Sequence, residues 1–332
     1  MTATMTAGFR RRRAAVGLMV AGLGALGVAP AARAQAAPFP SHPIRLVVGF
    51  APGGAADVLA RTIAAALGRQ LGQQVIVENK PGADGILAAQ DVQKAPPDGH
   101  TLLLGTNTAL VAVPSLRPNP PYDPFKAFTP ISSAGQFSVF LLVANGLNVK
   151  TVQELLALVD KQGETLNSAS SNSAAELAMI QLLAPRKVLN VRYKGDVPAL
   201  TDLVGGQIHM IFTTGTTAPA FVKDGRARAL LALQPQRSPL LPDVPTAREL
   251  GLGKLTITPW AGFFGPAGMP AAVTETLSTA LRQSLAQPEV RNALAQQGFD
   301  GYGMAPAAFA DFFRLQHEAF NRIVRENNIK FE

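Results

Sequence analysis

"IRLVVGFAPGGAADVLARTIAAALGRQ", residues 44–70, decides the fold, because three kinds of sequence follow one another in it without a break. Ile44, Leu46, Val47 and Val48 suit a buried strand, and Leu59, Ile63, Leu67 and Leu71 recur every fourth residue, which predicts one apolar face of a helix. Between them lies Ala51-Pro52-Gly53-Gly54-Ala55-Ala56. A junction of strand, glycine loop and helix turns several unbonded backbone N–H groups, and the positive end of a helix dipole, toward one point. Gly53 and Gly54 have no Cβ to hold a ligand off that point, and Asp57 stands where a side-chain oxygen can cap the first turn. An anion fits there; an ordinary strand-to-helix turn of any α/β protein reads the same way.

The chain has 332 residues, enough for two domains with cores of their own, but its first segment has to be set aside before charge is weighed. Arg10 to Arg13 precede the uncharged run Ala14 to Ala32, and Ala32-Arg33-Ala34 offers an A-x-A cleavage site, so residues 1–34 are expected to be a cleaved secretory signal. Gly17, Gly22, Gly24, Gly27 and Pro30 argue against the same run staying as a membrane anchor, and the arginines permit either general secretory or twin-arginine export. That segment holds five arginines and no acid, so without it 25 basic side chains face 22 acidic ones and the net charge drops from +8 to +3. No later stretch gathers Lys and Arg with interleaved aromatics, which excludes a nucleic-acid reading. The absence of cysteine removes disulfides, thiolate metal sites and a cysteine-borne lipid anchor. A soluble protein of the periplasm is expected.

Further along, Gln74 to Val77 reads as a strand, Gly85 to Ala95 as a helix and Thr101 to Leu104 as a third strand ending at Gly105-Thr106-Asn107-Thr108. This alternation predicts a doubly wound, mainly parallel sheet whose ligands sit beyond the carboxyl ends of the strands. Pro114 to Pro130 carries six prolines and reads as a surface excursion, after which Ser138 to Val143 leads out of the first sheet. Thr151 with Glu154 forms a capping box opening a second α/β unit. In that unit the polar loop Asn167 to Ser173 precedes a helix to Ala184, Val188 to Tyr193 and Ile208 to Phe212 are strands, and Pro198 to Leu203 is a helix. Thr256 to Gly265 is strand-like again, and three helical stretches with no new strand between them (Ala271 to Ala286, Pro288 to Gln297, Pro306 to about Asn327) return to the first unit.

Catalytic and cofactor motifs fail one by one. The G-x-G-x-x-G of Gly22, Gly24 and Gly27 lies inside the signal's apolar core, and Gly253-Lys254 lacks the first glycine of a phosphate loop. His317-Glu318 begins like a zinc-protease helix, but Asn321 occupies the second histidine position. The four histidines are scattered, and no G-x-S-x-G elbow supplies a nucleophile, so neither an enzyme, a cofactor nor a metal is expected. What remains are loops rich in backbone donors and hydroxyls: Pro52 to Asp57 and Thr106 to Thr108 in one unit, Ser168 to Ser173 and Thr213 to Thr217 in the other. Singly, each is a solvated turn as readily as a site; together they suit a cleft that closes on an anion. Three or four charge-assisted hydrogen bonds of about 1.5–3 kcal/mol each reach micromolar affinity, about 8 kcal/mol, after association costs.

The runs "FAPGGAADVLAR" (50–61), "VENKPGADG" (77–85), "PPDGHTLLLGT" (96–106), "YKGDVPALTDLVGGQI" (193–208) and "WAGFFGPAGMP" (260–270) closely resemble the Bug receptors, the TctC family of extracytoplasmic solute-binding components of tripartite tricarboxylate transporters. The resemblance implies a type II periplasmic-binding-protein fold, with lobe 1 from 35–138 plus 261–332, lobe 2 from 139–260, and two crossing strands joining them. It implies a receptor for a small organic carboxylate that serves integral-membrane transporter subunits; a monomer is expected, and the alternative is a ligand sensor of the same fold feeding a signalling pathway. The resemblance implies ligand contacts from the loops Pro52 to Asp57 and Ser168 to Ser173; with the other loops read above and two aromatics, the ligand-binding residues expected are Ala51, Gly53, Gly54, Ala55, Ala56, Asp57 and Thr106 in lobe 1. In lobe 2 they are Ser168, Ser170, Ser171, Asn172, Ser173, Tyr193, Asp196, Thr213, Thr214 and Trp260. The sequence departs from the family's usual pattern at Ala56 (often Thr), Glu176 (His), Asp196 (Gly) and near Thr213 (Asp), which leaves ligand identity open. At Asp196, acceptance from a ligand's amino or hydroxyl group competes with a solvated turn; at Trp260, ligand contact competes with packing.

Overall fold

The computed structural model describes residues 39–326 apart from Pro118, Lys254, Thr256 and Thr258, so the expected signal and the tail from Asn327 lie outside the described residues. In chain order the strands are β1 (Ile44–Val48), β2 (Val75–Asn79), β3 (Thr101–Thr106), β4 (Phe128–Phe137), β5 (Val139–Ala144) and β6 (Asn167–Ser170). They continue as β7 (Leu189–Arg192), β8 (Met210–Thr214), β9 (Ala227–Ala232), β10 (Trp260–Pro266) and β11 (Phe299–Gly301). The helices are α1 (Ala55–Leu71), α2 (Ile86–Gln93), α3 (Val113–Leu116), α4 (Pro124–Ala127), α5 (Val152–Gln162) and α6 (Ser173–Leu183). After them come α7 (Asp196–Val204), α8 (Ala218–Lys223), α9 (Ala271–Ala286), α10 (Pro288–Gln296) and α11 (Pro306–Glu326).

Four apolar residues make β1 an interior strand of its sheet: Ile44, Leu46, Val47 and Val48 are fully buried, as a strand covered on both faces requires. Six strands in the order β11-β4-β10-β3-β1-β2 form this sheet, and five in the order β7-β6-β8-β5-β9 form the second. Neither is mainly parallel, contrary to the expectation from strand and helix alternation. β1 runs parallel to β2 and β3, and β6 parallel to β7 and β8, but β10, β4 and β11 pair antiparallel, as do β5, β8 and β9. The reversal follows from the chain crossing between sheets: a strand that arrives from the other unit enters from the opposite end.

The first crossing is abrupt. β4 belongs to one sheet and β5 to the other, with Ser138 alone between them. The Ser138 N–H donates to Gly298 O (2.6 Å), and Ser138 O accepts from the Gly215 N–H (2.7 Å), so both halves of the molecule grip this residue. Among the described residues of the return crossing, 233–259, turns and bends stand where the second crossing strand was expected, with Ala232 bridging Thr246. Trp260, expected as the last residue of lobe 2, pairs with Gln136 in the first sheet instead.

Three more expectations change. Pro114 to Pro130 is not a surface excursion throughout: Leu116, Tyr122, Ala127 and Phe128 are buried, and the Tyr122 hydroxyl donates to Ala109 O (2.6 Å). Asn167 to Ser170 forms β6, because Asn190 of β7 supplies its buried serines with hydrogen-bond partners. A short strand, β11, separates α10 from α11, so the closing segment is not helical alone.

That closing segment seals the first sheet with aromatic rings. Phe309 is fully buried on α11, edge-on to Trp260 (5.9 Å between centroids, 87°) and 5.1 Å from Phe264. Its ring lies where a side chain at Gly262 would be, since a Cβ there meets Phe309 Cζ at 2.2 Å. Phe309→Ala is expected to lower stability by about 3–5 kcal/mol, read as a drop in melting temperature with the far-ultraviolet spectrum of the folded protein retained.

Candidate ligand-binding site

The two sheets share a connection pattern. From β1 the chain moves outward to β2 and then back across to β3; from β6 it moves outward to β7 and back to β8. Parallel neighbours whose crossovers leave in opposite directions open a crevice at their carboxyl ends, where ligands of open α/β sheets sit. The ends of β1 and β3 lead into Phe50–Ala56 and Thr106–Thr108, and those of β6 and β8 into Ser171–Asn172 and Thr214–Thr217. Residues from all four segments line one cleft of about 360 Å³.

On the first side, Gly54 is the N-cap of α1, in extended backbone (φ −77°, ψ 168°) with no side-chain cap, so Asp57 is not the capping residue expected. Asp57 sits in the first turn, 3% exposed and outside the cleft lining, and braces the loop from behind. Its Oδ2 accepts from the Gly53 N–H (2.9 Å) and Arg61 Nε (3.0 Å), its Oδ1 from Asn79 Nδ2 (2.9 Å), and Asn79 Nδ2 also reaches Phe50 O (3.0 Å). Burial alone would raise the Asp57 carboxyl, but the hydrogen bonds from Arg61, Gly53 and Asn79 and the Arg61 charge hold it below the usual carboxylate range. Gly53 is in the left-handed region (φ +77°), which the turn requires. Facing the cleft, Ala55 and Ala56 begin a helix whose first N–H groups have no carbonyl within it to bond.

The second side is built around Asn172, the N-cap of α6. Its Oδ1 accepts from the Ala175 N–H (2.9 Å) and, from across the cleft, from Thr108 Oγ1 (3.4 Å). Next to it the Ser173 hydroxyl donates to Asp84 Oδ2 in the first unit. Ser171 and Asn172 line the cleft, whereas Ser173, Ser168 and Ser170 do not. Ser168 Oγ is 3.3 Å from Asn190 Oδ1, and Ser170 Oγ accepts from Asn190 Nδ2 (2.9 Å), so both hydroxyls serve the sheet.

Asp196 opens α7 and is no solvated turn residue: it lines the cleft, and its Oδ2 accepts from the Thr214 N–H (3.0 Å), Thr214 Oγ1 (2.8 Å) and Thr217 Oγ1 (3.2 Å). Thr213 Oγ1 lies 2.9 Å from Thr217 Oγ1 and is buried at the same wall. Tyr193 points elsewhere; its hydroxyl donates to Asp202 Oδ2 (2.6 Å), and that bond, with burial, pushes its pKa up to about 12. Trp260 belongs to the aromatic cluster under α11, away from the cleft. Of the four departures from the family pattern, Ala56, Asp196 and Thr213 line the cleft, while Glu176 lies outside it, bonded by Arg192 Nε (2.8 Å).

Sequence reasoning missed the apolar wall formed by Phe137, Val139, Phe212, Leu233 and Pro259. Nothing local marks these residues, because they meet only where the chain crosses between sheets. Thr108 and Thr217 were visible as parts of hydroxyl-rich loops. Among the described residues no group of three or more His, Asp or Glu is placed to hold a metal ion, and no helix is long and apolar enough to cross a membrane. Altogether three helices, α1, α6 and α7, present their N-terminal residues to one cleft.

Residues 59–329 match the family model described as the tripartite tricarboxylate transporter family receptor. The chain belongs to this family. Among its relatives, the UPF0065 protein in the tcbD-tcbE intergenic region of Pseudomonas sp. (strain P51) is 36% identical over 293 residues, covering 87% of each chain. Protein BugT of Bordetella pertussis is 31% identical over 327 residues, covering 97% of this chain and 99% of its own. Among solved structures, MatC (Rpa3494) from Rhodopseudomonas palustris with bound malate superposes with a TM-score of 0.77 at 32% identity, covering 86% of this chain and all of that one. R. palustris Rpa4515 with adipate gives 0.81 at 26% identity, covering 88% and 99%. The family and these neighbours are solute-binding proteins and not enzymes, and the receptor shares their two-lobe α/β fold.

Because the Asp57 carboxyl is held below its unfolded value, its contribution to stability is present above an unfolded pKa of about 3.9 and is lost as pH falls through the folded value. Asp57→Asn is expected to lower stability by about 1–3 kcal/mol at pH 7, with the gap to wild type closing as melting is repeated from pH 5 down to pH 3.

Proposed function

We propose that this receptor works in the periplasm, exported by a cleaved signal over 1–34, where as a monomer it captures a small organic carboxylate between its lobes and delivers it to membrane transporter subunits. The lobes on this reading are the two units built on the two sheets, joined through Ser138 and 233–259. The convergence of three helix N-termini on one cleft carries the proposal. Unbonded N–H groups of α1 and the dipoles of all three helices favour a negative group there. The donors are uncharged, which suits a receptor that has to release its load. Ala51, Gly53 to Ala56, Thr106, Ser171, Asn172, Thr213 and Thr214 are proposed to form the site. A volume of about 360 Å³ admits a ligand of the size class of the malate and adipate bound by the two neighbours.

Thermal-shift screening of the receptor against mono-, di-, tri- and aromatic carboxylates tests the ligand class: one present at a hundred times its Kd is expected to stabilise by about 2.7 kcal/mol. Gly54 has extended backbone, and a Cβ there meets Ala51 O at 3.3 Å, a tight contact at an N-cap position, so Gly54→Val is expected to keep the fold with a modest fall in melting temperature. The branched side chain would stand in front of the α1 donors, weakening carboxylate binding by about 100-fold, the loss of roughly two charge-assisted hydrogen bonds. Absence of any carboxylate shift defeats the proposal. For delivery, removal of the receptor gene is expected to abolish uptake of the carboxylate; unchanged uptake with lost gene induction would assign it to signalling.

A further inference from the structure

Asp196 is an odd group to find in a cleft that three helix N-termini prepare for an anion. Its Oδ2 is occupied by three donors from Thr214 and Thr217. Among the described residues its Oδ1 has no hydrogen-bond partner, and the carboxylate forms no ion pair. Lys194, which also lines the cleft, is exposed to water and makes no bond to it. Asp196 itself is half-buried, so its unpaired oxygen is only partly solvated, and an acceptor in that state favours a ligand that brings a donor.

We infer that Asp196 is a specificity-determining residue, and that the ligand carries an amino or hydroxyl group, remote from its carboxylate, which donates to Asp196 Oδ1. The inference rests on the carboxylate reading of the same cleft. The first carboxylate goes to the α1 N-terminus, the carbon body lies against the wall of Phe137, Val139, Phe212 and Leu233, and the donor end meets Asp196. A diacid of the same length would bring its second negative charge toward a fixed carboxylate, and like charges close together in a partly desolvated cleft repel.

Asp196→Asn is a sharp probe because the surrounding donors orient it. The Thr214 N–H can only donate, so the amide oxygen takes the place of Oδ2 and the amide NH2 takes that of Oδ1, while the two threonine hydroxyls keep their bonds to that oxygen. The loop keeps its anchor while the free position changes from acceptor to donor. Titration calorimetry on the wild-type receptor would compare butanoate, 4-aminobutanoate and succinate, and then benzoate, 4-aminobenzoate and terephthalate. In whichever set binds, the amino-ended acid is expected to bind wild type at least about tenfold more tightly than the diacid, and Asp196→Asn to reverse that order. A wild type that prefers the diacid overturns the inference without any variant, as does an Asp196→Asn protein that folds and keeps the wild-type order. Binding of the unsubstituted acids does not call on Asp196, so if none of the six acids binds while another carboxylate shifts the melting temperature, the inference fails and the carboxylate reading stands; if no carboxylate shifts it, both fail.

Discussion

An α-helix begins with N–H groups that it cannot satisfy, and much of this receptor's architecture decides where those groups point. In each sheet the chain leaves one strand to one side and returns to the other, and the crevice so formed receives the start of a helix: α1 after β1, α6 after β6. The same pattern occurs in both units, and the crossing at Ser138 turns the two crevices toward one another. What looks like a two-domain design is, at the level of hydrogen bonds, one rule applied twice and made to converge.

Polar side chains hold this arrangement from outside the cleft. Asp57, Asn79 and Arg61 bond one another and the Gly53 and Phe50 peptide groups, so the loop before α1 is fixed by side chains outside the cleft lining. Asn190 plays the same part for the serines of β6. Asp196 combines the two roles, with one oxygen spent on structure and the other open. Interior polar groups normally find partners, so the few left with an unspent atom at a cleft wall are the ones that discriminate among ligands.

The segments legible in the sequence are those whose signal is local. Ile44 to Gln70 declared itself because apolar spacing, glycines and an acidic first turn occur within one continuous run, and the structure keeps each part close to where the spacing put it. Asn167 to Ser170 was illegible as a strand, since its polar residues are buried against an asparagine some twenty positions away. β11 is too short to carry a periodicity, and the antiparallel strands gave no sign of direction. The cleft's hydroxyl-rich loops were visible, but which serines faced inward was not: strand pairing sent Ser168 and Ser170 into the sheet and left Ser171 and Asn172 at its end. Trp260 was an attractive candidate because it is the only tryptophan, yet its neighbours Phe309 and Phe313 claim it for packing.

The single-residue crossing has a mechanical consequence. Ser138 is bonded through its N–H to Gly298 on one side and through its carbonyl to Gly215 on the other, and those two glycines lie so close that a Cβ on Gly215 would stand 3.0 Å from Gly298 Cα. Sliding one half past the other would break both bonds and drive the bare backbones together. The joint therefore has two bare glycine backbones as its facing surfaces. Any side chain larger than hydrogen at either position would act as grit in it.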